Sequence, residues 1–451
     1  VKGATPLSKS KENTGMPKVA IIGAGLAGSE AALTLAALGA DVTLYEARPA
    51  WSSPAHKTDH PAELVCSNSF KSSLLPTAHG LLKKELMILG SPLLDAAFAN
   101  AVPAGSALAV DRERFSINVL NMLQSQSSIN LIREEITSPP DGYDACIIAA
   151  GPLASEKLTN WLMSEFSSDH LHFYDAIAPI IETESIDMSI AFKQSRREEG
   201  EGDYINCPFS EDEYRVFYDA LREADRTVAR SFESAAFFES CLPVEVMAER
   251  GYNCLAFGPM RPIGLIDPRT GKRPFAVCQL RKETASAESY NIVGFQTRLT
   301  IPHQQKVFRL IPGLKDAVFL RFGSIHRNTY LDSPKLLNGD LSFRKHPHIY
   351  LAGQICGSEG YTESVATGHL AAVFAASKLG IKNFTSPPEQ TALGALLKHI
   401  TSSPIEPFCP TNIHFGLFPP LDQTEYSRKS GKKHKKEVLC KRALDSLVNT
   451  L

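Results

Sequence analysis

Apolar positions near the start of this 451-residue chain come in short blocks divided by glycine. Val19-Ala-Ile-Ile22 is a continuous apolar run of the kind that forms a buried parallel strand. Gly23, Gly25 and Gly28 follow at G-x-G-x-x-G spacing, with Ala24, Leu26 and Ala27 between them. An Ala/Leu-rich stretch to Leu38 predicts a helix closed by Gly39. The next run, Asp41-Val-Thr-Leu-Tyr45, predicts a second strand that ends at Glu46. Strand, glycine turn, helix, strand and terminal acid together make a dinucleotide-binding unit. Gly23 permits the tight turn, Gly25 lets a pyrophosphate approach the backbone, and Gly28 lets helix and strand pack closely. The helix start offers free N–H groups and partial positive charge to phosphates. Glu46 is placed to accept hydrogen bonds from the adenosine ribose hydroxyls.

Residues 51–75 break the pattern, being rich in Ser, Pro and His, and predict a long irregular segment, a type often functional. Residues 77–100 have helical periodicity, and Val119 to Leu131 predicts a helix leading into a strand. Cys146-Ile-Ile-Ala-Ala150-Gly151-Pro152 predicts another strand, with the Gly-Pro exit usual for a nucleotide-binding sheet. From about 170 to 320 charge, aromatics and prolines mix with β-rich runs such as Phe275–Leu280 and Tyr290–Phe295. The doubly wound pattern then returns at Ile349-Tyr-Leu-Ala-Gly353-Gln354, followed by Gly357, Gly360 and a helix through Ser377. The expected fold is α/β: a Rossmann-like FAD-binding domain with a doubly wound parallel sheet, split in sequence by an inserted α+β domain. The boundaries expected are a disordered lead-in (1–17), the first part of the nucleotide domain (18–170), the insertion (171–320), the second part (321–425) and a basic tail (426–451). Only one G-x-G-x-x-G opens a βαβ unit, and the Gly353–Gly360 segment resembles the closing strand and helix of large flavoproteins, which implies FAD rather than NAD as resident cofactor.

Composition adds bounds. The chain is too long for one ordinary core. It is 43% hydrophobic, yet no apolar run is long enough to span a membrane, and no secretory signal is visible. The expected location is cytoplasmic. Net charge is −2, which by itself calls for no polyanion. Arg428 to Arg442 nevertheless hold eight Lys/Arg against one acid, Glu437, a pattern of either a solvated tail or a nucleic-acid contact.

Nine cysteines without a C-x-x-C suggest neither a disulfide framework nor a metal site. Two stand in suggestive settings. Cys66 lies in the irregular segment among Ser67, Asn68 and Ser69, with Lys71 near enough in sequence to favour a thiolate. Cys241 precedes Pro243, a residue favoured at the first helical position, so it stands near a helix N-terminus where the dipole lowers a thiol pKa. For any unpaired cysteine the plain alternative is a small buried hydrophobe.

The chain resembles the TrmFO family, the folate- and FAD-dependent tRNA (uracil-5-)-methyltransferases, from about Lys18 to Leu421. The blocks that carry the resemblance include Gly23–Ala32, Glu63-Leu-Val-Cys-Ser-Asn-Ser69, Cys241-Leu-Pro-Val-Glu-Val-Met-Ala248, Val293–Thr297, Ser333–Asn338 and Phe415–Leu421. The resemblance implies FAD as prosthetic group, methylenetetrahydrofolate as carbon donor, NADPH or NADH as reductant, and 5-methyluridine in the T-loop of tRNA as product. It implies catalytic roles for Cys66 and Cys241, with Cys241 the nucleophile at uracil C6 and Cys66 assisting methylene transfer or proton movement. Gly23, Ala24, Gly25, Leu26, Ala27, Gly28, Glu46, Gly151, Gly353 and Gln354 are the expected cofactor-binding positions. Ala47, Ala150, Ser240 and Cys356 depart from the family pattern. Lys272, Arg273, Arg281, Lys282, Arg298, Lys306 and Arg309 of the insertion, with the basic tail, are the expected RNA contacts. The alternatives are the same chemistry on ribosomal RNA and a non-catalytic RNA-binding flavoprotein.

Overall fold

The computed structural model describes residues 15–53, 55–166, 171–196, 202–227, 242–283, 287–404, 408, 410–422 and 431–451. Most of the expected lead-in, and both Cys241 and Ser240, therefore lie outside the described residues.

The first block forms as its pattern dictates. Strand β1 (Lys18–Ile22) is buried from Val19 onward, and α1 (Leu26–Leu38) ends on Gly39 at φ +99°, a left-handed cap that glycine adopts freely. After β2 (Asp41–Glu46) come β3 (Ser69–Ser72), α2 (Ala78–Ile88), α3 (Pro92–Ala99), β4 (Ala101–Val102), β5 (Ala107–Val110) and α4 (Arg112–Ser125). The expected single periodic stretch over 77–100 is thus two helices, parted where Ser91 caps α3 and Pro92 takes its first turn. Helix α4 begins seven residues earlier than expected, because Asp111 accepts a hydrogen bond from the Arg114 N–H and starts it there. Then follow β6 (Ile129–Arg133), β7 (Ala145–Ile148) and α5 (Glu156–Phe166).

The insertion contributes β8 (Leu171–Ile177), β9 (Ile180–Glu182), β10 (Phe192–Lys193), β11 (Ile205–Phe209), α6 (Glu211–Glu223), α7 (Val244–Glu249), α8 (Tyr252–Phe257), β12 (Ala276–Lys282), β13 (Ser289–Ile292), α9 (Ile301–Phe308) and β14 (Phe319–Arg321), and β15 (Ser324–Tyr330) follows past its expected end at 320. The chain returns through α10 (Ser333–Leu336), β16 (Ile349–Leu351), α11 (Tyr361–Lys378), α12 (Ala392–Ser402) and α13 (Gly431–Val448).

The main sheet is parallel, in the order β16-β7-β1-β2-β6, so the last strand joins beside strands laid down some two hundred residues earlier. The insertion builds an antiparallel sheet, β10-β11-β12-β13-β9-β14, and the ribbon β8–β15 connects it to the main body. Each sheet has its own buried core.

Helices α1 and α11 cross almost backbone to backbone. A Cβ on Gly368 would lie 2.2 Å from the Ala27 carbonyl oxygen, so only glycine fits there. A buried pair pins the crossing: His369 Nδ1 lies 2.9 Å from Glu30 Oε1, while Glu30 Oε2 accepts from the Leu93 N–H of α3. The expected basic tail is not a free tail over its described part. Residues 431–448 are helical, and Leu439, Cys440, Ala443 and Leu447 are buried against the body. No described helix is long and apolar enough to cross a membrane.

Candidate functional site

The crossing sets the first turns of α1 and α11 on one cleft, which Leu26, Ala27, Tyr361 and Ser364 line. Gly25 and Gly360 begin these helices with no side-chain capping bond. Two helix ends thus present uncapped N–H groups and partial positive charge at the cleft wall, a setting for a pyrophosphate. Gly23, Gly25, Leu26, Ala27, Glu46, Gly151, Gly353 and Gln354 all line it.

The glycines divide by job. A Cβ on Gly28 would lie 1.8 Å from the Gly23 carbonyl oxygen, so Gly28 is a packing residue away from the cleft. Gly23 sits at φ +102°, and a Cβ there would meet Ala149 and Ala150 backbone at 2.7 Å. A Cβ on Gly25 would meet nothing within 4 Å. Its missing side chain is not required by the protein's own packing, as expected of a position kept open for a ligand. These residues fit a dinucleotide such as FAD. Ala24 does not line the cleft; its N–H donates to Glu46 Oε2 at 3.2 Å and so fixes the acid at the end of β2.

Glu46 has a partner that the motif did not reveal. Arg48 donates to it through its backbone N–H (3.0 Å), Nε (2.8 Å) and Nη2 (3.2 Å). Burial works to raise the Glu46 carboxyl, but the hydrogen bonds and charge of Arg48 outweigh it and hold the group below its usual range. Arg48 Nη1 also reaches Glu63 at 2.9 Å. Glu63 in turn accepts from the Lys57 and Thr58 N–H groups, so the irregular segment after β2 is tied down as the cleft's wall.

That wall carries Cys66, half-buried and on the cleft beside Val65. Its Sγ lies 3.1 Å from the Tyr361 hydroxyl. The Tyr361 oxygen accepts from the Cys66 N–H (3.0 Å) and the Ser67 N–H (3.1 Å), which leaves its own proton to donate to sulfur. A hydrogen bond donated to sulfur favours thiolate over thiol. Phe70 packs against the tyrosine ring, centroids 5.7 Å apart, and fixes its place. Arg112 adds positive charge nearby: its Nη1 donates to the Leu64 and Val65 carbonyls at 2.9 and 3.2 Å. Its Nε meets Glu283 at 2.6 Å, which stitches the Cys66 segment to the inserted domain. Asn68 makes a second stitch, donating to the Lys282 carbonyl (2.8 Å) and accepting from Arg281 Nε (3.0 Å).

Several expectations change here. Lys71 does not serve Cys66, because its Nζ donates to Asn412 Oδ1. Asn68 holds backbone and Arg281, while the Ser67 hydroxyl accepts from the Ser69 N–H. Arg281 is buried, and Arg298 lies against buried Glu245, so these two are not part of an exposed basic face. Lys272, Arg273, Lys306 and Arg309 are exposed, and Lys282 is half-buried. Pro243 is the residue before α7 rather than its first, and the helix spans six residues. The segment just past Cys241 is nonetheless anchored: the Val244 N–H donates to the Gln296 carbonyl at 2.8 Å, and Glu245 accepts from Thr297 Oγ1 at 2.8 Å. Of the departures, Ala47 and Ala150 line the cleft, whereas Cys356 is buried and burial pushes its thiol up to about 12. Among the described residues no group of His, Cys, Asp and Glu is arranged to hold a metal.

Comparison with known proteins bears on this site. Residues 18–383 match the family model described as Glucose inhibited division protein A. A methylenetetrahydrofolate–tRNA-(uracil-5-)-methyltransferase TrmFO from Lawsonia intracellularis is 51% identical over 430 residues, covering 94% of this chain and 95% of that protein. The namesake from Syntrophotalea carbinolica is 50% identical, covering 96% of this chain and 93% of that protein. The chain belongs to the TrmFO family. TrmFO members are named as enzymes, and this chain is one. Among solved structures, GidA from Aquifex aeolicus superposes with a TM-score of 0.69 at 15% identity over 96% of this chain and 73% of that one, a likeness of fold alone. It agrees with the α/β class expected from the hydrophobic pattern.

Proposed function

We propose that this chain methylates C5 of a uridine in the T-loop of tRNA to 5-methyluridine, with methylenetetrahydrofolate as carbon donor and FAD, reduced by NADPH or NADH, as hydride source. The observation that carries this reading is Cys66 with its Tyr361 and Arg112 partners on the wall of a dinucleotide cleft, in a chain of this family. Uracil C5 is a poor nucleophile. A cysteine thiolate that adds to C6 forms an S–C bond and moves electron density onto C5, which then bonds the donor's methylene carbon. The carbon's first bond to a folate nitrogen breaks as C5 bonds it; loss of the C5 proton to a base breaks the second and frees tetrahydrofolate, and the thiolate leaves C6 as the methylene carbon is reduced. The methylene group stands one reduction level above methyl, and reduced FAD, when bound, supplies the hydride. Gly25, the uncapped starts of α1 and α11, Glu46, Gly151, Gly353 and Gln354 would hold that group.

Cys241 is the proposed C6 nucleophile. Cys66, with its sulfur held by Tyr361, serves the transfer of the methylene group or the movement of a proton at the cleft. The test is transfer of labelled carbon from methylenetetrahydrofolate to unmodified tRNA, with FAD and NADPH, in parallel with ribosomal RNA. Label recovered as 5-methyluridine at the T-loop is expected. Label in ribosomal RNA alone, or in neither, overturns the assignment. With RNA carrying 5-fluorouridine, the covalent adduct should vanish in Cys241→Ala and persist in Cys66→Ala; the reverse pattern exchanges the two roles.

A further inference from the structure

Two helices of this chain treat their own ends in opposite ways. Helix α6 begins with a capping box at Ser210 and Glu213, has Glu211 and Asp212 in its first turn, and has Arg222 in its last. Each feature suits the helix dipole. Helix α13 reverses the order. Its opening, Gly431-Lys-Lys-His-Lys-Lys436, contains no acid before Glu437, so its cations crowd the end where positive charge is unfavourable. Lys433 and Lys436 also stand at a repelling three-residue spacing. Its own stability does not account for such an opening.

The helix is nevertheless held firmly by its other half. Leu439, Cys440, Ala443 and Leu447 form one buried stripe. Arg442 donates to the Pro419 and Pro420 carbonyls at 2.6 and 3.1 Å. The helix packs against α2. In contrast, Lys433, His434, Lys435, Lys436 and Glu437 are all exposed. Among the described residues, Lys433, Lys435, Lys436 and Lys441 have no ion-pair partner, and Glu437 is 3.6 Å from His434. The result is a rigid rod of 18 residues, about 27 Å long, with one end anchored and the other a lysine cluster. It rests on the half that carries the cleft: α2 follows β3, which begins three residues after Cys66, and α2 also packs on α11, which carries Tyr361.

We infer that the exposed lysines of α13 grip backbone phosphates of the RNA substrate. This inference rests on the RNA-modifying reading above and adds where the RNA is held. Lysine ammonium groups are point charges suited to phosphates without regard to sequence. A membrane surface is the poorer match, since Lys432 to Glu437 contain no apolar residue to bury among lipid chains.

The test uses the full flavin-loaded chain, an unmodified tRNA transcript, and the dissociation constant measured across a salt series. In Lys433→Gln/Lys435→Gln/Lys436→Gln/Lys441→Gln, glutamine keeps helix propensity and removes charge. The slope of log affinity against log salt should fall by about three, and affinity at moderate salt at least about tenfold. Lys315→Gln/Lys382→Gln should leave both unchanged. Equal flavin content and circular dichroism establish that the variants fold. An unchanged slope in the α13 variant overturns the inference, as does a loss toward heparin with none toward tRNA. A wild-type chain that binds no tRNA at low salt instead breaks the functional reading itself, a result distinct from an unchanged slope.

Discussion

The dinucleotide half and the inserted domain owe their structure to different parts of the residue. In the first, backbone does the shaping: Gly23, Gly28 and Gly368 bring strands and helices together at distances that admit no Cβ, and small Ala-rich helices follow. The cleft is what remains between such backbones. The inserted domain is built from rings. Tyr214 and Phe217 are wholly buried, joined by Phe209, Phe295 and Phe308 in one cluster across α6, α9 and the antiparallel sheet. Backbone-defined sites tolerate no added atom, while ring-filled cores lose stability when atoms are removed.

Substitutions in each half sharpen this contrast. The largest effect is expected at Gly28. In Gly28→Val the added carbons collide with the Gly23 carbonyl, and the dinucleotide half should fail to fold, read as loss of soluble, flavin-bearing protein. Recovery of a normally stable Gly28→Val would break the backbone account. Next in size, Phe217→Ala should cost about 3–5 kcal/mol in the inserted domain. Urea melts followed by circular dichroism should show that loss, while flavin fluorescence reports the other half still closed at low urea.

A third experiment turns on a helix end closed from within. Unlike α1 and α11, α12 is served by an acid: Glu85 of α2 accepts from the Ala392 and Leu393 N–H groups at 2.8 and 2.9 Å. Burial pushes this carboxyl up to about 8, against the lowering effect of those two bonds. Its folded value exceeds the unfolded value of 4.5, so the associated stability is complete below that pH and is lost as pH rises toward about 8. Glu85→Gln cannot ionise. The wild-type advantage over it should shrink by up to about 1.4 kcal/mol per pH unit across that window, measured by urea midpoints. A constant difference would contradict the shift.

The smallest effect is expected at Tyr361. Tyr361→Phe removes the hydroxyl that accepts from two N–H groups and faces Cys66 sulfur. Alkylation of Cys66 by iodoacetamide at neutral pH should slow several-fold, equivalent to about 1 kcal/mol. An unchanged rate would mean that the hydroxyl holds only the backbone.

What was legible in the sequence followed the same division. The order β1–α1–β2, strand β7 and the late β16–α11 unit were readable because each depends on neighbours in the chain and on glycines with a local reason. The partners of Cys66 were not. Tyr361 lies 295 residues away, and Glu283, which holds Arg112, belongs to another domain. No local pattern encodes such meetings. Lys71, adjacent in sequence, was the natural choice and the wrong one, since its chain runs toward Asn412. One signal was available: an aromatic residue directly after the Gly360 that opens α11 stands where a helix start faces a cleft. Arg48 was similarly hidden, although it sits two residues from Glu46. Helix α13 was read as tail because its charges mask the buried stripe of Leu439, Cys440, Ala443 and Leu447.

The most direct test of a backbone-built cofactor cleft is the FAD content of Gly25→Val beside wild type. A Cβ at this position touches nothing in the protein, and circular dichroism matching wild type establishes that the variant folds. Wild type should purify with one FAD per chain, and folded Gly25→Val should hold little or none. A folded Gly25→Val that retains FAD as fully as wild type would contradict the placement of the cofactor in this cleft.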